Sequence, residues 1–121
     1  MKVNIHEMRL NPQPFEMIRS GRKTIELRLN DEKRQKIQLG DTIIFTSTES
    51  GERLTVSVLG LHRFSDFGEL YKALPLLECG YTEEDVGEAQ PSDMERYYSA
   101  EDIARYGVLG IEIRLTEADS E

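Results

Sequence analysis

The sequence predicts one α+β domain over residues 1–121, a small closed or nearly closed β-barrel of about five strands with helices packed at its ends. Three observations carry this reading. Five segments show strand patterning, in the order β-α-β-β-β-α-α-α-β. The strands are joined mainly by hairpins, with no internal repeat or linker. At 121 residues, the chain suits one buried core and is too short for a parallel sheet covered on both faces.

The elements follow from local chemistry. Val3 to Leu10 reads as the first strand, closed by Asn11-Pro12-Gln13-Pro14, where Asn11 caps a short helix and proline suits its first turn. Phe15 and Ile18 share a face of that helix, and Gly21 stands where a left-handed terminal residue is favoured. Thr24 to Leu29 alternates: Ile25, Leu27 and Leu29 point one way, and Thr24, Glu26 and Arg28 the other. This predicts a half-buried strand, with Ile25 and Leu27 in the core and a Glu26→Gln change that leaves stability nearly untouched.

Gly40-Asp41 turns the chain into a strand at Thr42–Thr46, and "STESGE" is a hairpin loop into Leu54–Val58, a strand that extends toward His62. Ser65 is the expected cap of a helix carrying Phe67, Leu70, Tyr71 and Leu74, stopped by Pro75. Three further helix starts are read at Thr82, Ser92 and Ser99, each followed three residues on by a carboxylate or its close variant. Gly107 ends the last helix, and Leu109, Ile111, Ile113 and Leu115 form the closing strand.

Composition narrows the function. With 38% apolar and 31% charged residues, the chain is a folded domain rather than a disordered one. No apolar run approaches the roughly 18 residues of a membrane span, and the lone Cys79 has no partner within the chain, so a reducing cytoplasm is expected. His6 and His62 lie far apart and no Cys/His spacing suits a metal, so neither a metal nor a cofactor is implied. Cys79 has no basic neighbour in sequence to make it a nucleophile, and no glycine-rich phosphate loop is present.

The charge is uneven. The net charge is −8, yet residues 1–40 hold nine Lys or Arg against five Asp or Glu. A protein that grips nucleic acid by bulk electrostatics is usually basic throughout, so an anionic partner would have to be met at a local patch. The alternative is that "DEKRQK" is a solvated turn. Within "GRKTIELR", Glu26 and Arg28 lie about 7 Å apart along one strand face, and Lys23 stands at the strand entrance. Together they offer a cation, a carboxylate and a planar fork of donors. They equally suit a rim ion network in which Glu26 neutralises both cations.

"GRKTIELR" resembles the G-x-K-x-x-E-x-R signature of the ASCH domain, a compact barrel related to the RNA-binding PUA domain. Gly21, Lys23, Glu26 and Arg28 match its four fixed positions. "LNDEKRQKIQLGDTIIF", "FSDFGELY" and "YYSAEDIARYGVLGIEI" are similar to later segments of small members, so the resemblance spans nearly the whole chain. It implies a PUA-like barrel that binds RNA or a nucleotide-like small molecule in a cleft beside the signature, with Gly21, Arg22, Lys23, Glu26 and Arg28 as ligand-binding residues. One branch resembles an amidohydrolase of N4-acetylated cytidine. That likeness would make Lys23, Glu26 and Glu78 catalytic, with Glu26 standing where the branch has a threonine and acting as general base on water. A third reading is a protein-interaction module that presents the acidic helices between Thr82 and Arg105.

Overall fold

In the computed structural model, which describes residues 3–116, five strands form one sheet: β1 (Ile5–Leu10), β2 (Ile25–Leu29), β3 (Thr42–Ser47), β4 (Arg53–Phe64) and β5 (Val108–Leu115). Their order across the sheet is β1-β3-β4-β5-β2. Three of the four contacts, β3–β4, β4–β5 and β5–β2, are antiparallel, while β1 lies parallel to β3 with Ile5 opposite Thr42. The two strands nearest the N-terminus therefore become the two edges of the sheet. Helix α1 (Pro12–Arg19) carries the chain from one edge to the other.

The sheet curls into a half-barrel. The register of β4 against β5 slips between Val58 and Gly60, so Leu59 is an extra residue that bends the 12-residue strand. Gly60 sits under the Glu112 side chain, and a Cβ there would lie 3.1 Å from the Glu112 carboxyl carbon. Curling brings the edges close enough for one side chain to span the gap: Nη2 of Arg28 on β2 donates to the Arg9 carbonyl on β1 at 2.9 Å. That carbonyl faces away from β3, whose flanking amides at Thr42 and Thr48 take the alternate carbonyls of Asn4 and Leu10.

Two apolar cores result. One fills the barrel, where Ile43, Phe45, Val56, Leu109 and Ile111 are fully buried beneath Phe15 and Ile18 of α1. The other lies outside the sheet, where α2 (Phe67–Ala73) and α3 (Ala100–Tyr106) cover Ile25, Leu27 and Val108. Gly110 lets this layer approach, since a Cβ there would lie 2.6 Å from Leu74 Cδ1 and 3.5 Å from Ile25 Cγ2.

Strand β2 is consequently buried on both faces, not half-buried as its alternation predicts. Ile25 and Leu27 are core residues of the outer layer. Glu26 lies opposite Ile111 and Arg28 opposite Leu109, so both polar side chains turn toward the barrel interior.

Other elements depart from the sequence reading in small ways. The first strand begins at Ile5 rather than Val3. The cap of α2 is Asp66, whose Oδ1 accepts from the Glu69 amide at 2.9 Å, while Ser65 gives its amide and hydroxyl to the Glu69 carboxylate. Thr82 and Ser92 do not start α-helices. Their segments form short 3-10 turns at Val86–Glu88 and Pro91–Arg96, the second capped reciprocally by Gln90 and Asp93. Polar side chains here bond to nearby backbone, and Gly87 and Pro91 interrupt any longer helix. Ser99 does cap α3, accepting from the Asp102 amide. No helix among the described residues is long and apolar enough to cross a membrane.

Candidate ligand-binding cleft at the barrel seam

A cleft of about 600 Å³ opens where the two edge strands fail to pair. Arg9 and Leu10 of β1 line one side, Glu26, Leu27 and Arg28 of β2 the other. The start of α1 and the segment from Cys79 to Tyr98 close it above.

Backbone geometry delivers the charged groups. Gly21 adopts φ +84° after α1, a conformation that favours glycine, and lets the Lys23 amide return to the Met17 carbonyl at 3.0 Å. Thr24 is pinned at both ends: its amide donates to the Glu78 carbonyl, its hydroxyl donates to Glu78 Oε1 at 2.8 Å, and its carbonyl accepts from Ile113. The Lys23 side chain then runs along Gly80, where a Cβ would lie 3.4 Å from its Cδ.

At the floor stands an ion triad. Lys23 Nζ lies 2.8 Å from Glu26 Oε1 and Arg28 Nε lies 2.6 Å from Glu26 Oε2. The three side chains are only 10%, 4% and 14% exposed, in the order Lys23, Glu26, Arg28. Burial alone would raise the Glu26 pKa, but the charges and hydrogen bonds of Lys23 and Arg28 outweigh it and hold the carboxyl below its usual range. Burial likewise works against the Arg28 charge, and Glu26 overcomes it. Each Glu26 oxygen keeps a second lone pair, the ammonium has three N–H bonds, and the guanidinium has a further nitrogen beyond Nε and Nη2. The triad thus presents donor, acceptor and donor side by side.

A pH dependence follows from the lowered Glu26 pKa. Its contribution to stability is fully present above the unfolded carboxylate value of about 4.3 and is lost as pH falls through the lower folded value. Asp41 adds to this in the same direction: burial raises its pKa, but hydrogen bonds from His6 and the amides of Gln38 and Asn4 lower it further. Melting temperatures are expected to change little from pH 7 to 5 and to fall between pH 4 and 2. A flat profile through that acid range would contradict the assignment.

The upper wall is aromatic and acidic. Tyr81, Tyr97 and Tyr98 line it, three of the five tyrosines in the chain. Tyr81 donates to Asp93 at 2.7 Å and shares a 2.6 Å bond with the Tyr71 hydroxyl. Burial and these two bonds push its pKa far up, so it stays a neutral phenol. Tyr97 is 58% exposed at the mouth.

Of the residues expected at the site, Lys23, Glu26 and Arg28 converge. Gly21 shapes the approach without lining the cleft, and Arg22 points to solvent and bonds the Ser20 hydroxyl. The Glu78 carboxylate turns to Thr24 and does not line the cleft. Cys79 is buried beside Lys23, and burial pushes its thiol up to about 11, which leaves it protonated. Lys33 and Lys36 are exposed on a turn away from the cleft, where Asp31 holds Arg34 at 3.1 Å. Arg9 and the tyrosine wall were not singled out in the sequence; the only local signal was the density of tyrosines from 81 to 98. Among the described residues, no group of three His, Cys, Asp or Glu side chains is placed to hold a metal ion.

A curled five-strand sheet, helices on its outer face and a polar cleft at its seam define a PUA-like α+β half-barrel. Within that class the chain belongs to the ASCH domain family, whose sequence model matches residues 8–117. Among solved structures it is similar to the hypothetical protein PH0355, with 35% identity over 93% of this chain and 99% of that one and a TM-score of 0.77. It is also similar to Protein PF0455 from Pyrococcus furiosus, with 34% identity, 93% and 98% coverage and a TM-score of 0.72. ASCH from Zymomonas mobilis shares the fold at 16% identity, covering 97% of this chain and 76% of that one with a TM-score of 0.61. No curated protein matches the sequence.

Proposed function

We infer that this ASCH domain is a cytoplasmic binding protein for RNA or a nucleotide-like small molecule, held in the seam cleft by Lys23, Glu26 and Arg28. The observation that carries the reading is the buried triad, with hydrogen-bonding capacity left over on all three members, set beneath a wall of tyrosines. A nucleobase has a polar edge to match alternating donors and acceptors and a flat face to stack on phenol rings. The cleft volume lies within the range usual for small-molecule sites.

Hydrolysis of an acylated base is the less favoured chemistry. Glu26 would have to activate water, but a carboxylate held below its usual pKa by two cations is a weaker base. Glu78, the other carboxylate of that scheme, is engaged by Thr24. Wild-type protein incubated with N4-acetylcytidine is expected to release no cytidine.

Binding is tested by titrating the four ribonucleosides, their 5′-monophosphates and a short single-stranded RNA. Lys23→Ala is expected to weaken the bound species roughly ten- to a hundredfold, the effect of losing one charged hydrogen bond. The pair Lys33→Ala and Lys36→Ala, on the screened turn, is expected to change it less than about twofold. Equal losses from both changes would mean diffuse contact with a backbone rather than a ligand in the cleft.

A further inference from the structure

We propose that the cleft selects an uncharged nucleoside over its phosphorylated forms, and that Asp85 and Glu88 are the residues that turn phosphates away. The proposal rests on the nucleotide-like reading above and narrows it to one ligand class.

The first support is charge. Among the described residues four cations, the exposed Arg9 of β1 among them, and four carboxylates line the cleft, so their formal charges cancel. Its deepest cations are already engaged, since Lys23 and Arg28 share the Glu26 carboxylate at 2.8 and 2.6 Å. Arg96, on the upper wall, lies close enough to Asp93 to interact with its charge. Asp85 and Glu88 are exposed on that same wall, and Asp85 is fixed there by the Thr82 amide at 2.6 Å. An entering triphosphate would meet these two carboxylates on a protein of net charge −8, with repulsion felt over about a Debye length.

The second support is independent of side-chain charge. Helix α1 begins at the cleft, with Asn11, Gln13 and Pro14 in its lining. A helix start ordinarily binds phosphate through the free amides of its first turn. Here Pro12 and Pro14 occupy two of the first three helical positions, and proline has no N–H to give. Gln13 alone keeps a first-turn amide among those three. Among the described residues, the α-helix that begins in this cleft is therefore largely stripped of the donors that would cradle a phosphate.

What remains suits a neutral heterocycle. The triad reads a polar edge, and the exposed Tyr97 ring offers a stacking face at the mouth.

The test compares a ribonucleoside with its 5′-mono- and triphosphate and with a ten-nucleotide RNA, by calorimetric titration of the full chain. The nucleoside is expected to bind at least about tenfold more tightly than the triphosphate at low salt, with the gap narrowing as salt rises and screens the wall. Asp85→Asn combined with Glu88→Gln keeps the acceptor for Thr82 and removes both charges. It is expected to reduce the nucleoside-to-triphosphate affinity ratio at least about fivefold. Triphosphate or RNA binding as tight as that of the nucleoside, or an unchanged ratio in the double variant, overturns the selection while leaving nucleotide binding intact. Failure of every species to bind would remove the nucleotide-like reading itself, and this proposal with it.

Discussion

Glu26→Gln is expected to destabilise the protein by about 3–5 kcal/mol, the usual cost of breaking a buried ion pair from one side. Glutamine has nearly the same shape and can still accept a hydrogen bond, so packing is preserved. The loss is electrostatic: Lys23 and Arg28, both largely buried and both facing the same carboxylate, would face each other across a neutral amide. Because a domain of this size is stable by roughly 5–15 kcal/mol, chemical denaturation should show the change plainly. A second variant isolates the cause. Adding Lys23→Met to Glu26→Gln removes one of the stranded cations and is expected to recover a substantial part of the loss. A double variant no more stable than Glu26→Gln alone would mean that shape, not charge, was at fault.

Gly107→Ala is expected to cost on the order of 3 kcal/mol or more. The residue ends α3 at φ +74° and ψ −174°, a region open almost only to glycine, where other residues bear about 1–3 kcal/mol of strain. Space adds to the cost, since a Cβ would stand 2.8 Å from the Phe64 carbonyl oxygen. That oxygen belongs to backbone paired in register with Val108, so it cannot swing aside as a side chain would. Gly51→Ala is the control: it has φ +77° with nothing within 4 Å of its Cβ, and it is expected to lose only the conformational part. Equal melting temperatures for the two variants would remove the steric contribution.

The strands and their polarity were legible because alternation is a local property. The pattern in Ile25–Leu29 places its apolar and polar sets on opposite faces, and it does so correctly. What covers each face is not local. The apolar set packs under α2 and α3, more than 35 residues away, and the polar set turns into the barrel, so a strand read as half-buried hides Glu26 to 3% exposure. On the sequence reading, Glu26→Gln is nearly neutral; burial reverses that expectation.

Pairing shows the same limit. The β3–β4 hairpin follows from its short loop, whereas nothing in Ile5–Leu10 announces a parallel match to β3 or an edge position. The segment from Thr82 to Tyr97 carries helix-start chemistry at two points but too little uninterrupted chain to propagate a helix, and its tyrosines reveal their role only when folded over the seam. The resemblance in "GRKTIELR" found the triad. It had no means of finding Arg9, which reaches the cleft from the opposite edge.

The bond from Arg28 to the Arg9 carbonyl has a consequence for how such a protein can diversify. A barrel closed by strand pairing has an aperture fixed by its ladder, and widening it means rebuilding the sheet. Here the last gap is spanned by one long side chain, so its width is adjustable by a single substitution while the four strand pairings stay as they are. A shorter residue at position 28 would unlatch the seam, and a bulkier one would shut it. The same side chain also holds the buried Glu26 carboxylate, so the width of the seam and the stability of the triad change together.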